Sequence, residues 1–319
     1  MILMCKNQAV YNTETEEVYN KQLLPGFMQK NACKPAFRQW MRYRYSSGTN
    51  TIARRLKGIT FGQGNRREIN ARTHALSFSD CYWVREETED LKFEEISPYF
   101  VPFWDGSRNY NEEAAPTLYV GGALTKEWRA DGRLYKYGDG LEIELLCAQL
   151  CQICGVPCEE IFRTENGIAV TNFTDDGLML EQADASGRID PDDFTEQDVI
   201  ELFGEDGVRM LTIDAIIGNG DRHAGNFGWL RDPDRGDYLR MAPLYDFDHA
   251  LDVITAKEDD RLICDLLDAA VGYETVVREI AGKAVESDIH PVFTARANLM
   301  LMLMEKEIPI PDTLRIENE

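Results

Sequence analysis

The chain has 319 residues, 44% of them hydrophobic and 28% charged, which is enough apolar sequence for two or three packed units. Its 34 basic and 56 acidic residues leave a formal net charge of −22. That charge sets nucleic acid and anionic membrane aside as general partners, and no apolar run is long enough to read as a transmembrane helix.

The opening, Met1 to Lys6, runs directly into polar sequence without the apolar core of a signal peptide. The eight cysteines, at 5, 33, 81, 147, 151, 154, 158 and 264, form no disulfide framework. The expectation is a cytoplasmic chain with reduced, buried thiols. Between Lys34 and Arg72 lie ten basic residues and one acid, Glu68. This net +9 segment is interleaved with Phe37, Trp40, Tyr43 and Tyr45. It reads either as a solvated surface paired with acids elsewhere in the chain or as a docking patch for an acidic partner or a nucleic acid.

In chain order, residues 37–44 predict a short amphipathic helix, and Leu76 to Val84 alternates partly, as a strand does. The polar stretch from Asp105 to Glu113 predicts a boundary between an amino-terminal region, 1–112, and the remainder of the chain. Thr117 to Arg129 reads as strand, glycine turn, strand. Asp131-Gly132 predicts a tight turn into a strand at 133–137. Apolar residues at 143, 146, 147, 150, 153 and 154 predict a helix over 142–154, closed by Gly155 and Pro157. A hairpin turns at Glu165-Asn166-Gly167, and Leu178 to Glu181 predicts another strand. From Thr195, a predicted helix start, helices dominate: one ends at Ile217, and others lie near 260–271 and 292–305. The resulting plan is a β-rich lobe at 113–184 and a helical lobe at 185–319.

The chemistry concentrates in Ile217-Gly-Asn-Gly-Asp-Arg-His-Ala-Gly-Asn-Phe-Gly, followed by a hairpin and Met241-Ala-Pro-Leu-Tyr-Asp246. Phosphoryl transfer needs a carboxylate to orient a hydroxyl and accept its proton, and oxygen ligands to hold Mg²⁺ on the nucleotide. Asp221 suits the first role. Asn226, five residues on, offers a neutral amide oxygen to metal, and Asp246 offers a charged one. Base, amide, hairpin, carboxylate is the order of catalytic parts in protein kinases.

These two blocks resemble the catalytic segment of HipA-type serine/threonine kinases. The resemblance implies an α+β, bilobal, protein-kinase-like fold using ATP and Mg²⁺, with a protein substrate phosphorylated on serine or threonine. It implies a phosphate-covering loop at Gly121, Gly122 and Lys126, and a nucleotide lysine at Lys136. The helix residue Glu144 looks like the partner of that lysine, with Glu142 its nearest alternative. An antitoxin joins acidic proteins as an implied partner for 34–72. A small-molecule kinase and a non-catalytic module remain alternative uses of the same parts. Cys147, Cys151 and Cys154 have the spacing of an iron–sulfur motif, but on one face of a predicted helix they read as core thiols. His223 and Arg222 read as residues that shape the loop.

Overall fold

The structure, a computed structural model, describes residues 1–43, 74–100, 125–128, 131–138, 140–251 and 259–306. The phosphate-loop glycines Gly121 and Gly122, the predicted boundary at 105–113 and most of the basic segment lie outside the described residues. The chain forms two compact units that interleave in sequence. The first comprises 1–141, 161–188 and 228–240, and the second comprises 142–160, 189–227 and 241–319.

The first unit is built from antiparallel sheets. Strands β1 (Ile2–Cys5), β2 (Gln8–Asn12) and β3 (Tyr82–Arg85) form one in the order β2-β1-β3. Every residue of β1 is buried, and its core includes Leu3, Tyr11, Leu24, Met28, Trp40, Trp83 and Phe93. Helices α1 (Gly26–Lys30), α2 (Lys34–Tyr43) and α3 (Phe93–Ile96) accompany this sheet. Phe37 of α2 stacks on Trp40 at 5.7 Å between centroids. A second sheet has the order β4-β5-β7-β6, from β4 (Thr125–Trp128), β5 (Arg133–Tyr137), β6 (Ile161–Thr164) and β7 (Gly167–Thr171). A third joins β8 (Met179–Gln182), β9 (Gly228–Arg231) and β10 (Tyr238–Met241), with the short α5 (Ala183–Ser186) after β8.

The polar centre of this unit is Arg231, whose side chain is fully buried. Its guanidinium donates to Glu181 at 3.0 Å, to the Tyr82 hydroxyl at 2.8 Å, and to the carbonyls of Leu24 and Gly236, each at 2.9 Å. It also donates to the Gln22 carbonyl. Burial raises the Glu181 carboxyl, and the Arg231 charge opposes that rise.

The second unit is helical: α4 (Glu142–Cys154), α6 (Glu196–Phe203), α7 (Glu205–Ile217), α8 (Asp259–Ala269), α9 (Glu274–Ser287) and α10 (Pro291–Lys306). Thr195 caps α6 in a reciprocal box, its hydroxyl accepting from the Asp198 amide while Asp198 accepts from the Thr195 amide. Gly204, at φ 59° and ψ −130°, separates α6 from α7 in a conformation that residues with a side chain rarely adopt. Helix α7 is buried along most of its length after an acidic first turn, with Val208, Met210, Ile213, Ala215, Ile216 and Ile217 all buried, as befits a central helix. Cys147, Cys151 and Cys154 are buried along α4, where burial pushes the Cys147 thiol above its ordinary range. The Cys154 thiol donates to the Ile280 carbonyl of α9, so these thiols pack as core residues.

Candidate active site

The segment that carries Asp221 and Asn226 begins where α7 ends. Gly218 takes the left-handed conformation at φ 66°, and its amide donates to the Asp214 carbonyl. The Asn219 amide donates to the same carbonyl at 3.0 Å, and its side-chain amide donates to the Asp214 carboxylate at 3.0 Å. In turn the Asn219 side-chain oxygen accepts from the Asp221 amide at 3.2 Å. The loop therefore leaves the helix on a fixed path.

Arg222 then locks it. Its side chain is almost fully buried, and it grips the Asp214 carboxylate through two parallel bonds, each of 2.8 Å. A third nitrogen donates to the carbonyls of Asn226 at 2.8 Å and Tyr245 at 2.9 Å. Burial works against the charge of Arg222, but Asp214 outweighs it and the guanidinium is held above its ordinary pKa. A two-pronged pair of this kind fixes orientation as well as charge. One buried guanidinium thus joins three segments: α7, the loop at Asn226 and the residue before Asp246. The expectation that Arg222 shapes the loop matches this geometry.

Within the loop, the His223 amide donates to the Asp221 carbonyl, and the Asn226 amide donates to the His223 carbonyl, each at 2.8 Å. The Asn226 side-chain nitrogen donates to the Asp221 carbonyl at 3.3 Å. The Tyr245 hydroxyl donates to the Gly225 carbonyl at 2.9 Å. Asp246 has φ 60°, a conformation that Asp tolerates better than most residues and that recurs at functional sites. Its amide donates to the Glu159 carboxylate at 3.2 Å. Glu159 is placed by backbone pairing of 157–159 with Leu244.

Asp221, Asn226 and Asp246 thus sit in one unit on segments pinned to each other. Glu144 belongs to the same unit and is buried on α4. Lys126 and Lys136 belong to the first unit, where they face each other directly across β4 and β5. Both are buried. Residues opposed in this way share a sheet face. The same face carries Trp128 opposite Leu134, and Val170 beside Leu134 on β7. It is therefore apolar at one end and doubly cationic at the other.

Two residues of this framework, Asp214 and Glu159, are not marked as site residues by any motif. Asp214 carries a signal in the sequence, a lone acid inside the apolar run from Leu211 to Ile217. Glu159 carries none, since its role depends on pairing with a segment some 85 residues later. Among the described residues, no group of three or more His, Cys, Asp or Glu side chains could hold a metal by itself, and no helix is long and apolar enough to cross a membrane.

Among solved structures, the chain is similar to HipA of Shewanella oneidensis MR-1, from its toxin–antitoxin complex with HipB and operator DNA. The identity is 12% and the TM-score 0.54, over 96% of this chain and 100% of that one. It also matches the Helicobacter pylori proinflammatory kinase CtkA at 16% identity and a TM-score of 0.38, over 58% of this chain and 90% of that one. No protein-family model matches, and no curated protein matches. The chain has an α+β fold like that of HipA.

Proposed function

We propose that this protein is an ATP- and Mg²⁺-dependent kinase that transfers the γ-phosphoryl group to a serine or threonine hydroxyl of a protein. The observation that carries the reading is the Arg222 clamp, which sets the loop of Asp221 and Asn226 and the approach to Asp246 with a single buried group. Phosphoryl transfer depends on positioning and charge stabilisation more than on covalent chemistry, and a rigid loop supplies that positioning.

In this reading Asp221 orients the acceptor hydroxyl and takes its proton. Asn226 and Asp246 would hold Mg²⁺, whose charge offsets that of the phosphates. One carboxylate and one amide are too few for a resident metal, but they fit an ion that arrives on nucleotide oxygens and keeps several waters. Lys126 and Lys136 bind phosphates on the cationic end of their sheet face, and its apolar end suits the base. Gly121 and Gly122 let the preceding loop approach the phosphates, and Glu144 is the acid that the resemblance pairs with Lys136. The β-rich unit serves nucleotide and the helical unit serves transfer, in a cytoplasmic protein. The segment 34–72 is the surface for an acidic partner or an antitoxin.

Purified protein incubated with radiolabelled ATP and Mg²⁺, beside Asp221→Asn, tests this reading. The expected result is label transfer or ATP turnover that the variant loses while still binding nucleotide. Absence of nucleotide binding by the unaltered protein would sink it.

A further inference from the structure

Asp221 has two close imidazole neighbours. Nε2 of His249 lies 3.6 Å from its Oδ2, and Nε2 of His223 lies 4.0 Å from the same oxygen. His223 belongs to the loop itself and accepts a hydrogen bond at Nδ1 from the Gly225 amide at 3.0 Å. That contact places the proton of the neutral ring on Nε2, aimed towards Asp221. His249 comes from a different segment, and its placement is built rather than incidental. The turn that carries it is closed by the Ala250 amide donating to the Phe247 carbonyl at 3.0 Å. The Leu251 amide donates to the Ile217 carbonyl at 2.9 Å, at the last residue of α7. Phe247 is fully buried, with the Arg222 guanidinium 5.7 Å from its ring centre. The turn is thus fastened on both sides of His249, to the helix that launches the catalytic loop and to the clamp that holds it.

We infer that His249 is a positioning residue for Asp221: with His223 it holds Oδ2, so that Oδ1 is the oxygen presented to the acceptor hydroxyl. This rests on the kinase reading for its consequence, but not for the contact itself. A half-exposed carboxylate, 47% accessible here, otherwise turns freely about its side-chain bonds. Two imidazoles from separate segments lie on the side of one oxygen, at 3.6 and 4.0 Å and so beyond direct hydrogen bonding, and a bridging water or a small rotation joins them to it and leaves the other oxygen in a defined direction. His249 is itself 49% exposed, so substitutions there leave the core intact.

Two measurements separate the inference from the kinase reading. The first needs no activity. In the full chain, which has four histidines, imidazole nitrogen NMR resonances are compared between the unaltered protein and Asp221→Asn, with the His249 signal identified by its loss in His249→Gln. The His249 nitrogens are expected to shift when Asp221 loses its charge, and unchanged resonances would overturn the contact. The second measurement is ATP turnover. His249→Ala is expected to lower kcat by about 10- to 100-fold with KM for ATP nearly unchanged, as misplacement of a reacting group does. His249→Gln, whose amide nitrogen takes the place of Nε2, is expected to recover most of the loss. Equal kcat in the alanine variant, or equal loss in both variants, would overturn the positioning role. An inactive unaltered protein counts against the kinase reading, and the NMR comparison still decides the contact.

Discussion

Each unit of this molecule contains a buried arginine side chain that ties several segments together, Arg231 in the first and Arg222 in the second, and these two are used differently. Arg231 in the first unit holds five partners from the amino-terminal segment, β3, β8 and the turn before β10. All of them are architectural, and none belongs to the candidate site. Arg222 in the second unit makes a comparable bond to a buried acid, but its remaining donors go to carbonyls of the catalytic loop and of the residue before Asp246. A buried ion pair is weak evidence of net stabilisation, because desolvation offsets most of the attraction. What both pairs supply is a unique arrangement. In one unit that arrangement is a sheet junction, and in the other it is the framework of the candidate site.

The comparison breaks most visibly if Arg231 is removed. Arg231→Met strands Glu181 in the interior and leaves the carbonyls of Gln22, Leu24 and Gly236 without this donor. The expected cost is about 3–5 kcal/mol, the usual penalty for an uncompensated buried charge, read by urea unfolding. The pH dependence has a definite sign. Glu181 is already raised by burial and loses the cation that opposes the rise. A carboxyl raised in the folded state binds its proton more tightly there than when unfolded. The deficit of the variant should therefore be full at neutral pH and shrink as pH falls through the raised pKa. A deficit that grows on acidification would mean that Glu181 is not the stranded group.

Arg222→Met is the matching test in the other unit. Turnover per folded molecule is expected to fall by about 100-fold, since both the loop and the segment before Asp246 lose their common tether. Arg231→Met should leave turnover per folded molecule nearly unchanged. If the two variants behave alike once corrected for the folded fraction, the division into architectural and site-forming arginines fails. Asp246→Asn sharpens the point, because Asn tolerates the left-handed backbone that Asp246 adopts. It should lose metal-dependent nucleotide binding while keeping the melting temperature, so that charge is separated from strain.

The site is more legible in the sequence than the framework that holds it. Asp221, Asn226 and Asp246 are spaced as phosphoryl transfer requires, and α4, the 161–171 hairpin and the Thr195 helix start all carry local signals. The β1–β2 hairpin escapes sequence reading because Ile2–Cys5 is buried on both faces, which removes the alternation that marks a half-buried strand. Helix α9 buries Val277, Ile280, Ala281 and Ala284. That is helical spacing, but two alanines make a faint stripe. The partners of Arg231 lie up to 209 residues away, and no local pattern encodes such a junction. His249 shows the same limit at short range. Nothing in its neighbours reveals that its turn folds back on Ile217.

The smallest expected effect separates exposed from buried charge. Asp198 is fully exposed, and hydrogen bonds from Thr195 hold its carboxyl below the ordinary range. It also lies in the first turn of α6, where negative charge is favoured by the helix dipole. A lowered carboxyl stabilises the folded state above its unfolded pKa, and that contribution disappears as pH falls through the lowered folded value. Asp198→Asn should therefore show a small deficit in melting temperature at neutral pH that closes on acidification. The trend has the same direction as that of Arg231→Met, but for the opposite reason: here the unaltered protein loses an advantage, whereas there the variant sheds a penalty. Following each protein alone across pH distinguishes the two. The unaltered chain should approach its Asp198→Asn variant from above, while Arg231→Met should rise towards the unaltered chain from below. A constant gap for Asp198→Asn across that range would mean that the box is held by the neutral hydrogen bonds alone.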